Sequence, residues 1–426
     1  MRANLVVAVG VAVLVTGCGE RCAKVQTARA ALAARPVATA PSPDVRVTLP
    51  LARANALIAE LLASAPLAIP LTLPALGPIP LQLPRDLTAR ARAVELRPGP
   101  ADRIRFAIEV EIVDAAVPLV TLAVVAEVAP EVVRSDGTVA LEVGLRPADL
   151  VALSPTLGDG ATAALGAAVA RWLPPAVRAR VPPALIAAAA GELATYLTGA
   201  AYQGLRATLL RRLGEATRLR LRLPDVPIAD VQLRSTTTPA AVLVELRTGL
   251  PIRHGLGPAG PVADDIDVTI AASAVAELAN WAVAEGPAPR WYDRSLTPTP
   301  TGQFRPRFDY VASDLDHPWK VHVLQERGGC SYFRVGVRIS IQFANDQLRV
   351  TAQDRQLERA IASPVLELAA RAKYALVGSI DQSRRHAAQV NLTIAGRAVT
   401  TRTTRVELVD HQLRVGLALT LAPAAP

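Results

Sequence analysis

Lysine is nearly absent from this chain: of 46 basic residues in 426, only Lys24, Lys320 and Lys373 are lysine, and the rest are arginine. Aromatic residues make up 4%, and there are one methionine, three cysteines and five histidines. Each shortage excludes something. Scattered arginines with almost no aromatics between them exclude the clustered basic, base-stacking surface of a nucleic-acid binder. The net charge of +9 therefore reads as a compositional bias toward arginine, alanine and proline, and no nucleic-acid partner is expected. His254, His317, His322, His386 and His411 show no metal-ligand spacing. His317 and His322 lie in a strand-like stretch broken by Pro318, and they read as surface residues. No serine sits in a nucleophile elbow, no cysteine has a base close by, and Gly158-Asp159-Gly160 lacks the preceding strand of a phosphate-binding turn. The expectation is a protein with no catalytic residues, no metal and no cofactor.

Long apolar runs are scarce too. The one that stands out, Leu5 to Val15, follows Arg2 and covers about a dozen residues, too short to span a bilayer as a stable helix. It ends in Leu14-Val15-Thr16-Gly17-Cys18, which resembles a bacterial lipobox, with small residues before the cysteine that receives a diacylglycerol. A signal peptide over 1–17 and a mature chain starting at Cys18, carrying a diacylglycerol and an N-acyl chain, are expected. At ~0.8 kcal/mol per buried CH₂, such chains hold a protein on a membrane essentially permanently. Gly19 rather than aspartate follows the cysteine, which points to the periplasmic face of the outer membrane of a bacterial envelope. Cys22 and Cys330 share that oxidising compartment, either as a disulfide or as two free thiols. A disulfide would pin the second half of the chain near the anchor.

What the chain has in quantity is apolar residues, 51%, enough to core two or three domains of ~100–200 residues each. An alanine-rich tether without periodicity, ending in prolines, occupies 18–43. One stretch then occurs twice. Val45, Val47 and Leu49 after Asp44, and Ile266, Val268 and Ile270 after Asp265, alternate with the period of a half-buried strand. Leu51, Ala54, Leu57, Ile58, Leu61 and Leu62 follow at helical spacing, as do Val275, Leu278, Ala279, Ala282 and Val283.

Behind the first copy, Pro70-Leu71-Thr72-Leu73-Pro74 and Pro80-Leu81-Gln82-Leu83-Pro84 lack too many backbone donors for central strands and read as an apolar edge or loop. A meander of four strands is expected, among them the strand patterns at 104–112, 119–128 and 138–145. Its cover is a helix over Pro183 to Leu213, broken near Gly199, with strands near 217–223 and 240–247 after it. His254 to Val262, rich in glycine and proline, is the natural boundary. Behind the second copy come strand patterns at 309–311, 319–324, 333–343 and 348–352. A covering helix capped by Ser363 and Pro364 follows, with the stripe Val365, Leu368, Ala369, Ala372 and Leu376. Strands at 390–394, 399–409 and 413–421 close the chain.

That order, strand, helix, about four strands, long helix and about three strands, twice over, resembles the tubular lipid-binding superfamily. The likeness is to its two-module, bactericidal/permeability-increasing protein-like members. It covers roughly Asp44 to Leu421 and rests on element order, because the family has no invariant catalytic motif. It implies an α+β fold of two pseudo-repeated modules over 44–253 and 264–426, joined by a linker at 254–263. Each module is expected to be a highly curved antiparallel sheet wrapped around a long amphipathic helix, with an apolar groove for lipid tails. Two departures stand out: the paired disulfide of some animal members has no counterpart, and Ala161 to Trp172 looks like an added helix.

The function this implies is that of an envelope-anchored lipoprotein that binds or shuttles a membrane lipid, a phospholipid or another acyl lipid, without catalysis. The expected lining is Leu57, Leu61, Leu193, Leu197, Val275 and Leu368 on helices, with Phe106, Ile108, Ile339 and Ile341 on strands. A carrier exchanges one apolar environment for another, so it needs shape and lining more than a polar motif. The competing expectation is an anchored scaffold or protein-binding lipoprotein whose barrels are filled by their own side chains. An apolar cavity on the order of several hundred Å³ separates the two. Asp314-Leu315-Asp316-His317 with Trp319, the most polar cluster, reads as a loop capped by its own aspartates.

Overall fold

In the computed structural model of the chain, the described residues are 19–35, 42–64, 68–71, 87–100, 103–114, 117–129, 131–135, 138–157, 160–199, 210–211, 214, 219–222, 226–260, 262–286, 288–295, 297–344, 347–376, 380–385, 392–394 and 397–421. Helix α1 (19–33) precedes β1 (Val45–Pro50) and α2 (Leu51–Ser64). Then come β2 (Ala68–Leu71), β3 (Leu87–Pro98), β4 (Ile104–Asp114), β5 (Val117–Val128), β6 (Glu131–Ser135), β7 (Thr138–Val143) and β8 (Leu150–Thr156). Helices α3 (Ala161–Trp172), α4 (Pro175–Arg178) and α5 (Pro183–Thr198) lead to β9 (Leu219–Arg222) and the hairpin β10 (Ile228–Thr237) and β11 (Ala240–Thr248). The second half begins with β12 (Ile266–Ala271) and α6 (Ala272–Glu285), followed by β13 (Phe304–Tyr310), β14 (Trp319–Gln325), β15 (Tyr332–Ala344) and β16 (Gln347–Ile361). It ends with α7 (Pro364–Leu376), β17 (Ile380–Arg385), β18 (Leu392–Ile394), β19 (Arg397–Val409) and β20 (Gln412–Leu421).

The fold is α+β, and its sheets are antiparallel and open. The two copies of the repeated strand lie side by side in a seven-stranded central sheet of order β10-β11-β1-β12-β20-β19-β18. Each copy runs straight into a helix of 14 residues. The two five-stranded sheets, β2-β3-β4-β5-β8 and β13-β14-β15-β16-β17, extend from these helices. Residues from both sides of 254–263 thus share one sheet. Proline explains the short β2: Pro70 offers no N–H, and β2 is the edge of its sheet.

The first five-stranded sheet carries a closed core. Val110, Leu122, Val124, Leu165 and Ala190 are fully buried between β4, β5, α3 and α5. Asp114 is buried beneath α3, where the Trp172 indole (3.0 Å) and the Arg171 guanidinium (2.8 Å) donate to its carboxylate.

Several expectations need correction. Hairpin β6–β7 does not extend the first meander; it pairs with β9 in a separate three-stranded sheet, and β8 takes the place beside β5. Neither five-stranded sheet closes around a helix among the described residues. Helix α7 starts as its caps foretell, with the Leu366 N–H on the Ser363 hydroxyl at 3.4 Å. Of its expected apolar stripe, however, Val365 (79% exposed), Leu368 (71%) and Ala369 face outward, while Ala370 packs toward the sheet and Leu366 is half-buried; the side chains of Ala372 and Leu376 lie outside the described residues. A shift of one or two positions on a helix turns the face by 100–200°, and alanines on both faces hid which one was buried.

The supposed tether is the largest revision. Residues 19–33 form a helix whose Val25, Ala28 and Leu32 are buried against Leu324 and Tyr332 of the second five-stranded sheet. Cys22 and Cys330 are disulfide-bonded, with Cα atoms 5.0 Å apart. Beyond the helix, Arg35 pairs with Asp309 of β13, which Arg253 also reaches at 2.5 Å. His322, expected on the surface, lies fully buried under this layer, its Nδ1 2.9 Å from the Tyr332 hydroxyl.

Candidate functional site

The central sheet has its faces inverted. On β1, Arg46 and Thr48 alternate with Val45, Val47 and Leu49, and the polar pair is the buried one. Arg46 is 6% exposed and stands directly across from Glu245, also 6% exposed, with guanidinium nitrogens 2.8 and 2.7 Å from one carboxylate oxygen. Asp267 on β12 is buried on the same face and takes Arg405 at 3.0 Å. Buried charges need partners of this quality, because desolvation otherwise exceeds the Coulomb gain.

Residues of the 254–263 stretch supply the cover. A cavity of about 280 Å³ between Arg46, Arg234, Glu245 and Pro258 is walled by Leu256 and Gly257. Gly416 shows how closely the chain packs here: a Cβ on it would lie 2.1 Å from the Asp264 carboxylate, which bonds Thr404 at 2.8 Å and pairs with Arg405 at 3.1 Å.

Two aspartates at matching places set the strand ends. Asp44, just before β1, accepts the Thr248 N–H (2.6 Å) and hydroxyl (2.8 Å). Burial raises its pKa, against the lowering pull of those bonds and of Arg247. Asp265, just before β12, accepts the Leu419 N–H at 2.8 Å and pairs with Arg53 at 3.0 Å.

The opposite face is apolar and only partly covered. Register places Val244, Val47, Val268 and Val415 in one row across β11, β1, β12 and β20. All four are half-buried. Val45, Ile270 and Leu413, half-buried as well, form the next row. Three inter-strand spacings of ~4.8 Å make the four-strand row about 14 Å wide.

Of the residues expected to line a groove, Leu57 is clustered with this surface, packed with Ile266, Leu417 and Leu419 beside Val47, Val268 and Val415, and Phe106 reaches its edge in the cluster that holds Val244. Leu61 is buried. Phe106, Ile108 and Leu193 meet in the first sheet's closed core, and Val275 and Ile339 meet in the second sheet's core. Ile341 is half-buried and Leu368 is in solvent. Cys18 and the side chain of Leu197 lie outside the described residues. The expected lining is therefore divided among separate clusters. The valine row itself was visible in the sequence as strand alternation, but alternation names a face without saying how well that face is covered.

Among the described residues, no helix is long and apolar enough to cross a membrane, and no group of three or more His, Cys, Asp or Glu is placed to hold a metal. Asp314 accepts the His317 N–H at 2.9 Å and pairs with Lys320, so that loop is capped by its own aspartate.

No family model matches the chain, and no curated protein matches it. Solved structures similar to it include P47 of Clostridium botulinum E1, with a TM-score of 0.43 and 7% identity over 89% of this chain and 99% of that one. Another is P47 from Clostridium botulinum A2, with a TM-score of 0.36 and 8% identity over 88% of this chain and 97% of that one. A third is a lipopolysaccharide binding protein, with a TM-score of 0.25 and 10% identity over 90% of this chain and 100% of that one. Likenesses at these scores span the chain but leave the functional reading to its own residues.

Proposed function

We propose that this chain binds the acyl part of a membrane lipid on the apolar face of its central sheet, as an envelope lipoprotein held by lipid on Cys18, without catalysis. One observation carries the reading: the row Val244, Val47, Val268 and Val415 is half-buried while the charged residues behind it are buried. A sheet that hides its charges and leaves its valines part-covered is arranged for an apolar occupant. Each methylene moved from water onto such a surface is worth about 0.8 kcal/mol, while exchange from a bilayer is near balance. That suits holding and release. On this reading the two halves work as one lipid-binding unit across β1 and β12, a variant of the tubular lipid-binding architecture in which the lipid crosses their junction.

The test uses the full chain with Cys18→Ser, to remove the anchor. Organic extraction and mass spectrometry of the purified protein should find co-bound phospholipid, and a dye-labelled phospholipid should bind saturably. Lipid-free protein that takes up no labelled lipid would overturn the proposal. That result would favour the second reading, an anchored scaffold, which the closed core around Val110, Leu122 and Leu165 supports for the first five-stranded sheet.

A further inference from the structure

Away from the central sheet, a cavity of about 370 Å³ lies between α1, α6 and β13. Its wall includes Arg29 and Leu32 from α1, Trp281 from α6, Arg305 and Arg307 from β13, and Glu326 after β14. The charges there do not cancel. Glu326 stands 3.6 Å from Arg29 and 4.0 Å from Arg305, beyond direct hydrogen-bonding distance for either. Glu277, the other carboxylate of the wall, receives the Asn280 amide at 3.0 Å. Arg307 has no ion-pair partner among the described residues. Asp309, on the same strand, is already shared by Arg35 and Arg253. Three guanidiniums thus share two carboxylates, one of them already bonded to an amide, and apart from Asn280 the rest of the wall is apolar, with Leu250 and Leu324 beside Leu32 and Trp281.

We propose that this cavity is a binding site for a small organic anion, a phosphate or carboxylate carried on an aromatic or short apolar body. Arg305 and Arg307 take the anion and Trp281 faces the body. Guanidinium forks match both oxyanions in two-point fashion. At the ~30 Å³ that a water takes in the liquid, the space admits about a dozen non-hydrogen atoms. Helix α1 supplies one wall, and the Cys22–Cys330 bond holds α1 down, so the site exists only while α1 is docked. The site is separate from the valine row, and its ligand need not be the lipid.

The experiment is calorimetric titration of the full Cys18→Ser chain with phenyl phosphate and with benzoate, against inorganic phosphate and phenol as half-ligands. At least one aryl anion should bind saturably, with each half-ligand at least tenfold weaker. Arg307→Ala should weaken binding at least tenfold, and Arg307→Lys, which keeps the charge and loses the fork, by less. Arg29→Ala, on the outer helix, should weaken it several-fold with an unchanged circular dichroism spectrum, which separates loss of the site from loss of the fold. Reduction by dithiothreitol should lower affinity as α1 is released. No saturable binding of either aryl anion, phenol binding as well as phenyl phosphate, or an Arg29→Ala protein that binds like the parent would overturn the proposal.

Discussion

Asn55 on α2 and Asn280 on α6 make the same two-point contact with a strand backbone, one in each half of the chain. The Asn55 side-chain amide accepts the Leu96 N–H at 2.7 Å and donates to the Leu96 carbonyl at 3.1 Å. Asn280 does likewise with Phe308, at 2.7 and 2.9 Å. Both strands need it. β13 is the edge of its sheet, and β3 at Leu96 lies beyond the short β2, which reaches only residues 87–90. A side-chain amide offers a donor and an acceptor side by side, as a neighbouring strand would, so each helix closes an edge that otherwise invites pairing with another chain.

Replacing either asparagine by alanine leaves a backbone N–H and a carbonyl without partners, at a cost of about 1–3 kcal/mol. Urea unfolding of Asn55→Ala and Asn280→Ala should each show a loss of that size. Because the two sites share no partner, the double variant should lose the sum. Hydrogen exchange should speed up at Leu96 in the first variant and at Phe308 in the second. An unchanged exchange rate at those amides would show the contacts to be idle.

His322 gives a pH dependence whose sign is fixed. Burial, then the cations Arg35, Arg334 and Arg307, push its pKa down from 6.5 to about 3. The ring is therefore neutral at pH 7, and its 3.8 Å approach to Asp309 is no ion pair. The unfolded chain protonates this histidine near 6.5 and the folded chain does not. Its stabilisation is thus complete above pH 6.5 and is lost progressively as pH falls toward 3. At about 1.4 kcal/mol per pH unit, wild type should lose roughly 1–2 kcal/mol between pH 6.5 and 5, before most carboxylates titrate. His322→Gln should flatten that slope. Equal slopes in the two proteins would place the proton elsewhere.

Much of this architecture was legible in the sequence, and the misses have a common cause. Alternation in Val45–Leu49 and Ile266–Ile270 located the paired central strands, and Ser363-Pro364 located a helix start, because both signals are local. The inverted burial of the central sheet was hidden, since it depends on the 254–263 stretch folding back over Arg46 and Asp267. Helix α1 escaped notice because Val25, Ala28 and Leu32 are sparse anchors in an alanine-rich segment, and alanine marks no face. Asn55 and Asn280 stand in the sequence as polar residues between apolar stripe positions, yet nothing local says which strand edge they meet.

The docked α1 yields a separate expectation. The helix is held by one row of small apolar residues, by Arg35 on Asp309 and by the bond to Cys330. Cys22→Ser removes a link between residues 308 positions apart, for which a loss of about 2–4 kcal/mol is ordinary. Limited trypsinolysis should then cut earlier after Lys24 and Arg29 than in the parent, with the remaining fragment still folded. Identical cleavage kinetics and melting would mean that apolar packing alone holds α1.

Val47 and Val268 stand opposite each other on β1 and β12, at the centre of the proposed lipid surface, and they separate that reading from simple core packing. A carboxylate placed at either position keeps its water where the surface is open, so Val47→Asp should retain most of the fold's stability while repelling an acyl chain. Labelled phospholipid uptake should fall at least tenfold, and melting should shift by only a few degrees. Val110→Asp, inside the closed first-sheet core, is the contrast: an unpaired buried charge there should unfold the protein, as burial without a partner costs several kcal/mol. If Val47→Asp and Val268→Asp are as destabilising as Val110→Asp, the central face is packed core and lipid must bind elsewhere. If both fold normally and still take up lipid at the parent's affinity, the valine row is not the binding surface.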